Sequence, residues 1–190
     1  MLECSLIRAP RCSNTKDPDC FTKKLLATRA IAQKAGYPFL LTEYKDGLQG
    51  GPGCAYGGKH GDMAYAAAFI LHTVPQLTDL DAFSWWTISD VFEEGWLSGL
   101  PFYGGYGLLT SQGVAKPAYR AFEMLNTAGD QRLNVTLSGQ PDVFGDGGQA
   151  IPITVFATTH SGGSRVGTQG LQLFASNFWP EHGATAVSCR

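Results

Sequence analysis

Glu43 closes a short apolar run, Pro38-Phe39-Leu40-Leu41-Thr42, and is followed by Tyr44. A second set of carboxylates, Asp90, Glu93 and Glu94, follows a run that carries Trp85 and Trp86. Carboxylates and aromatic rings at neighbouring strand ends are the equipment of glycoside hydrolysis. One carboxylate attacks the sugar, a second protonates the leaving oxygen, and ring faces hold the substrate. The attacking group must stay ionised and the acid protonated. Each residue also has a plainer reading. A glutamate at a strand end is usually a surface residue, unless parallel strands of a barrel gather their C-terminal ends into one cleft. Alternation puts Trp85 and Trp86 on opposite faces, so one of them belongs to the core and a sugar platform is the rarer role. Glu93 and Glu94 are more often solvated than functional. His72 lies on an apolar helix and reads as a core histidine with its bonds satisfied, and His60, His72, His160 and His182 are scattered. The sequence contains no G-x-S-x-G, no phosphate-binding G-x-x-x-x-G-K-[ST] and no H-E-x-x-H.

The elements that must position these groups are legible from periodicity. Phe21, Leu25, Thr28, Ala32 and Ala35 recur at helical spacing and Gly36 is a natural stop. The Pro38–Thr42 run has the length of a buried strand. A glycine-rich polar loop, Lys45 to Gly61, leads to a helix from Asp62 to Val74. Asp62 suits its N-terminus by capping and by dipole. The middle of this helix is apolar nearly all round, which predicts packing on two sides, and Pro75 ends it. Ala82 to Ser89 predicts a second strand, and a loop through Asp90 runs on to Gly107. Lys116-Pro117 opens a helix with Ala118, Phe122 and Leu125 on one face, closed by Gly129. Strands alternating with helices predict a parallel sheet with helical crossovers. Beyond Gly129 the period becomes two. Arg132–Leu137, Ile151–Thr158 and Leu171–Ser176 predict strands, with glycine turns at Gly145–Gly148 and Ser161–Ser164.

The bulk composition excludes several classes. Hydrophobic residues make up 44% and charged residues 16% of the 190 residues, as in ordinary globular chains. Lys and Arg total 14 against 16 Asp and Glu, with no basic stripe, so nucleic acid is not an expected partner. No run is long enough to span a bilayer, so no membrane is expected either. Cys4, Cys12, Cys20, Cys54 and Cys189 show no metal-ligand spacing, so no metal site is expected; their odd number leaves a thiol free or a partner outside these residues. Asn134-Val135-Thr136 is an N-glycosylation acceptor. Residues 1–20 lack periodicity and lack the apolar run of a signal peptide.

Several segments together resemble glycoside hydrolase family 39, the family of β-xylosidases and α-L-iduronidases. The run Pro38–Tyr44 resembles its seventh barrel strand and Phe83–Glu94 its eighth. Pro101–Thr110 and the helix opening Lys116–Phe122 follow in the family's order. The likeness spans about Phe21 to Leu133, and the β tail resembles, more weakly, the sandwich that follows the barrel. The resemblance implies an α/β fold: the last two strand-helix units of a (β/α)8 TIM barrel over residues 21–131 and an incomplete β-sandwich over 132–190, after an irregular segment 1–20. It implies hydrolysis of O-glycosyl bonds with retention, a carbohydrate substrate and no cofactor. Glu43 matches the nucleophile and Trp86 a sugar-contacting tryptophan. Glu93 and Glu94 match carboxylates near the sugar hydroxyls, and Phe102 joins them as a substrate contact. The family's acid/base lies in an Asn-Glu-Pro motif that does not occur here. The expectation is therefore a fragment that holds the nucleophile and lacks the acid. The alternative is an inert remnant or sugar-binding pseudoenzyme, and a third possibility is a β-rich extracellular module. A secreted or lysosomal location is expected if a longer protein supplies a signal peptide. Xylosides and iduronides differ by a ring carboxylate, whose recognition calls for a placed Lys or Arg. Lys45 and Lys59 read only as loop residues.

Overall fold

The structure, a computed structural model, describes residues 12, 17–45, 61–78, 80–91, 99–136, 153–160 and 170–180. Helix α1 runs over Cys20–Lys34, close to the predicted span. Cys20 is disulfide-bonded to Cys12, and Asp17 and Asp19 accept backbone bonds at the first turn. The helix ends as Gly36 predicts. Gly36 takes a φ of 77°, its N–H donates to the Gln33 carbonyl, and the N–H of Tyr37 donates to that of Ala32. That pair of bonds satisfies carbonyls that a helix end otherwise leaves orphaned. Phe21 and Leu25, one turn apart, form the buried face.

Strand β1, Leu40–Tyr44, starts two residues later than the apolar run and includes Glu43. Pro38 has no N–H to donate, and the N–H of Phe39 is taken by Asp81 Oδ2 at 2.8 Å, so ladder pairing begins at Leu40. The strand pairs in parallel with β2, Ala82–Trp85, as the alternation of strands and helices predicts. Leu41 faces Phe83 and Tyr44 faces Trp85, so Thr42 and Glu43 occupy on β1 the space of Ser84 alone on β2. This is a β-bulge. Leu41 and Tyr44 are consequently both buried, while Thr42 and Glu43 are both exposed.

β2 is shorter than the predicted Ala82–Ser89 because the chain changes partner after Trp85. The N–H of Thr87 donates to the Tyr106 carbonyl, that of Leu108 to Thr87, that of Leu109 to Ile88 and that of Asp90 to Leu109. Residues 106–109 thus lie beside 87–90, where the sequence predicts a plain loop.

Helix α2 covers Ala64–Thr73 and continues into a 3-10 turn, Val74–Gln76, that contains Pro75. Its N-cap is Met63, with no side-chain cap; Asp62 does not cap it, because its carboxylate is engaged elsewhere. The helix packs on two sides, as its composition predicts. Phe69 meets Phe21, Tyr44 and Trp85 on one side and Phe178 on the other. Each such fully buried side chain contributes roughly 1.5–3 kcal/mol. Helix α3, Pro117–Asn126, has Pro in its first turn and presses Phe122 onto Trp85. It ends before Gly129, and the N–H of Gly129 instead donates to Thr158 Oγ1 at 2.9 Å.

The predicted tail strands form one antiparallel sheet in the order β3 (Gln131–Leu133), β4 (Ile153–Thr159), β5 (Gln172–Asn177). Phe156 and Phe174 stack across β4 and β5 with centroids 4.5 Å apart. Phe178, just past β5, enters the main core against Tyr65, Phe69 and His72. Among the described residues the fold is thus mixed α/β: a parallel pair of strands with helices, and a three-stranded antiparallel sheet. The predicted turns at 145–148 and 161–164 lie outside the described residues.

Candidate active site

Glu43, on β1, and Trp86, just past β2, lie on two segments that pair in parallel, one before and one after the same residue pair. The N–H of Trp86 donates to the Tyr44 carbonyl at 3.0 Å, so the two residues flank the Tyr44–Trp85 pair across strands about 4.8 Å apart. The bulge sets which side chain turns out. Strict alternation would put Glu43 on the face of Leu41, inside, whereas the extra residue leaves it exposed. Both tryptophans are half-buried. Trp85 packs inward, with its ring 5.2 Å from Tyr44 and 6.0 Å from Phe122. The Tyr44 hydroxyl sits in the aromatic core without a hydrogen-bond partner, and burial raises its pKa far above that of a free tyrosine. Tyr44 therefore stays neutral and serves packing.

Phe102 is 52% exposed, on a segment anchored beside it by the Tyr103 hydroxyl, which donates to the Asp90 carbonyl. Glu93, Glu94 and Lys59 lie outside the described residues. Asn134 is exposed just past β3. His72 is the satisfied core histidine its context predicts, bonded through Nε2 to Asp19 and through Nδ1 to Thr154.

The interior holds a charge cluster that the sequence does not announce. Lys116 is fully buried, and its Nζ reaches Asp62 Oδ1 at 2.7 Å, Asp90 Oδ2 at 2.6 Å and the Gly105 carbonyl at 3.1 Å. Lys45 Nζ donates to the same carbonyl at 3.1 Å and lies 4.5 Å from the centre of the Tyr106 ring. Asp62 also accepts from the N–H of Gly104, and Asp90 from the N–H of Gly107. Two ammonium groups and two carboxylates balance, as burial demands. Three expectations change accordingly. Asp90 is not a cleft carboxylate, Asp62 is not a helix cap, and Lys45 is not a surface loop residue. One signal could have revealed Lys116. It is the N-cap residue of α3, where a positive charge opposes the helix dipole and needs a partner elsewhere.

The described residues thus expose the Glu43 carboxylate on a parallel strand, leave Trp86 half-buried just past the partner strand, and bury Lys116 with Asp62 and Asp90. The family described as "Glycosyl hydrolases family 39" matches residues 22–187. The chain belongs to glycosyl hydrolase family 39. The match continues past Leu133 through the β tail, further than the strongest sequence likeness reaches. A β-xylosidase of Caldicellulosiruptor saccharolyticus is 45% identical over 76 residues, which are 39% of this chain and 16% of that protein. A β-xylosidase of Geobacillus stearothermophilus is 32% identical over 120 residues, 61% of this chain and 23% of its own. Among solved structures, a monomeric β-xylosidase from Caulobacter crescentus CB15 superposes with a TM-score of 0.59 at 24% identity, over 77% of this chain and 26% of that one. A GH39 enzyme from Xanthomonas axonopodis pv. citri gives 0.53 at 20% identity, over 82% and 29%. This family 39 chain therefore spans between 16% and 29% of the length of these relatives. Among the described residues no helix is long and apolar enough to cross a membrane.

Proposed function

We propose that this family 39 chain supplies the nucleophile half of a retaining glycoside hydrolase, with Glu43 as the nucleophile and a β-xyloside as the substrate. The observation that carries this is the bulge at Thr42-Glu43, which leaves Glu43 exposed near the end of a parallel strand. Bulges recur next to active sites because they re-aim one side chain without disturbing the sheet. In this reading β1 and β2 with their helices are the last two units of a (β/α)8 barrel, whose C-terminal strand ends carry the chemistry. The sheet of β3–β5 belongs to the sandwich that follows. Trp86 and Phe102 hold the sugar ring, and Glu93 or Glu94 bonds its hydroxyls. No cofactor takes part.

The mechanism needs a second carboxyl about 5–5.5 Å from the nucleophile. Asp62 and Asp90 are committed to Lys116 and do not serve. On the family resemblance, the acid/base is assigned to an Asn-Glu-Pro motif, which does not occur among these residues. A secreted or lysosomal location is proposed with it, since the Cys12–Cys20 disulfide suits an oxidising compartment.

An aryl xyloside with a good leaving group tests the nucleophile by itself. With 2,4-dinitrophenyl 2-deoxy-2-fluoro-β-xyloside, a Glu43 carboxylate oxygen attacks the anomeric carbon. The bond to the aryl oxygen breaks, and dinitrophenolate departs with the electron pair, needing no proton. The expected result is one added fluoroxylosyl group, mapped to the Glu43 peptide and absent in Glu43→Gln. Equal labelling of the two chains would remove Glu43 from the role. The commitment of Asp62 and Asp90 to Lys116 favours one second reading, a chain that binds sugar without turning it over. Saturable binding of methyl β-xyloside by a chain that takes no label would support it.

A further inference from the structure

We infer that Lys45 is a positioning residue for the Glu43 site, acting through its buried ammonium to fix the 99–107 segment against the end of β1. The inference rests on Glu43 being the nucleophile. Lys45 stands two residues after Glu43 and is 4% exposed. Its contacts close a ring that begins at Tyr44, the residue after Glu43. The Tyr44 carbonyl accepts from Trp86, and the next residue, Thr87, donates its N–H to the Tyr106 carbonyl at 3.2 Å. The Tyr106 ring faces Lys45 Nζ, and Nζ donates to Gly105. Two members of this ring, Tyr44 and Thr87, are adjacent in sequence to Glu43 and Trp86.

Packing alone does not explain a lysine here. Desolvating an ammonium is costly, and an apolar residue of similar volume fills such a space more cheaply. This cost is increased by Lys116, whose ammonium bonds the same carbonyl oxygen. Two like charges share one acceptor because Asp62 and Asp90 flank Lys116 on its other sides. What the charge adds over a methyl group is direction: a hydrogen bond to one carbonyl, at 3.1 Å, fixes where residues 104–106 lie relative to β1. Phe102 leads into that segment and Glu43 stands on β1, so Lys45 sets the separation of the two sides of the site. Displacements of about 1 Å in such a separation cost roughly 100-fold in rate.

The test is the rate of Glu43 labelling by the same fluoroxyloside, with the rate at saturation separated from the apparent dissociation constant. Lys45→Met keeps the stem and removes the donor, Lys45→Arg keeps charge and donors, and Lys23→Met serves as an exposed control. The expected result is a fall of roughly 10- to 100-fold in the saturated rate for Lys45→Met. Its dissociation constant should change little, and Lys45→Arg should recover part of the rate. Amide hydrogen exchange should quicken at Gly104 to Gly107 in Lys45→Met while β4 and β5 stay protected. A Lys45→Met chain with protected β4 and β5 that labels at the parent rate overturns the inference and leaves Glu43 standing. If Lys45→Met does not fold, Lys45→Gln takes its place, since it keeps a polar side chain but is uncharged and too short to make the bond to Gly105. An unchanged saturated rate in folded Lys45→Gln is equally decisive against the inference. If the parent and Glu43→Gln both remain unlabelled, the nucleophile assignment fails and the role of Lys45 falls with it.

Discussion

His72 Nε2 lies 2.9 Å from Asp19 Oδ1, joining the buried face of α2 to the residue that precedes α1. The other ring nitrogen, Nδ1, is hydrogen-bonded to the Thr154 hydroxyl on β4. One imidazole thus ties three elements together. Gln76 Nε2 adds a second donor to the same Asp19 oxygen at 3.2 Å.

This contact makes stability depend on acid. The bond from His72 holds the Asp19 carboxyl below its ordinary 3.8, against an opposing push from partial burial, and Gln76 and the nearby positive charges add to the lowering. A depressed folded pKa contributes stability that is present above the unfolded value and is lost as pH falls through the folded one. The window therefore lies below about pH 4. Asp19 is 37% exposed, so screening limits the contribution to roughly 1 kcal/mol or less. Urea unfolding of Asp19→Asn should lose less stability than the parent between about pH 5 and pH 2. Parallel curves for the two proteins would remove Asp19 from the acid transition.

Lys116→Met should be severely destabilising. It removes the shared partner of two carboxylates, and breaking a buried charge set by one member costs roughly 3–5 kcal/mol. Urea midpoints read this directly. A loss below about 1 kcal/mol would mean that Asp62 and Asp90 reach water or another donor.

Two glycines should fail for different reasons. At Gly36 a side chain meets nothing within 4 Å, but φ is +77°, so Gly36→Ala should cost roughly 1–2 kcal/mol of backbone strain. At Gly107 the added Cβ would lie 2.2 Å from the Ser89 carbonyl carbon and 2.3 Å from the Asp90 nitrogen. Neither is a flexible side chain, so Gly107→Ala should cost at least roughly twice as much as Gly36→Ala. Thermal melts of the two variants should rank in that order, and the reverse ranking would place residues 106–109 away from residues 87–90.

Asn134 is proposed as a glycan acceptor, and its exposure just past β3 leaves room for one. Secreted expression in a eukaryotic host should give a chain that loses mass with an endoglycosidase. Asn134→Gln should run at the trimmed mass from the start. Identical masses before and after enzyme treatment of the parent would show the site unused.

Much of the fold is legible in the order of residues wherever the deciding physics is local. The Gly36 stop, the Pro117 start and the paired strands β4 and β5 follow from backbone preference and short-range period. Apolar surroundings on its own helix are enough to mark His72 as a core residue. At the site, residue type and order single out Glu43 and its place at a strand end. They do not show that it is exposed, because the bulge exists only in the register between β1 and β2.

Residue order alone sets the family, the succession of helices and strands, and the candidate nucleophile, since these depend on motif order and on neighbours within one or two turns. Where the charges go is settled only when the chain folds. Lys45 meets Gly105 across 60 positions and Lys116 joins Asp62 to Asp90. Asp and Lys next to loops and prolines look solvated in a linear chain. Whether they are buried depends on a counter-charge brought up from a distant segment, and only the folded chain brings it there.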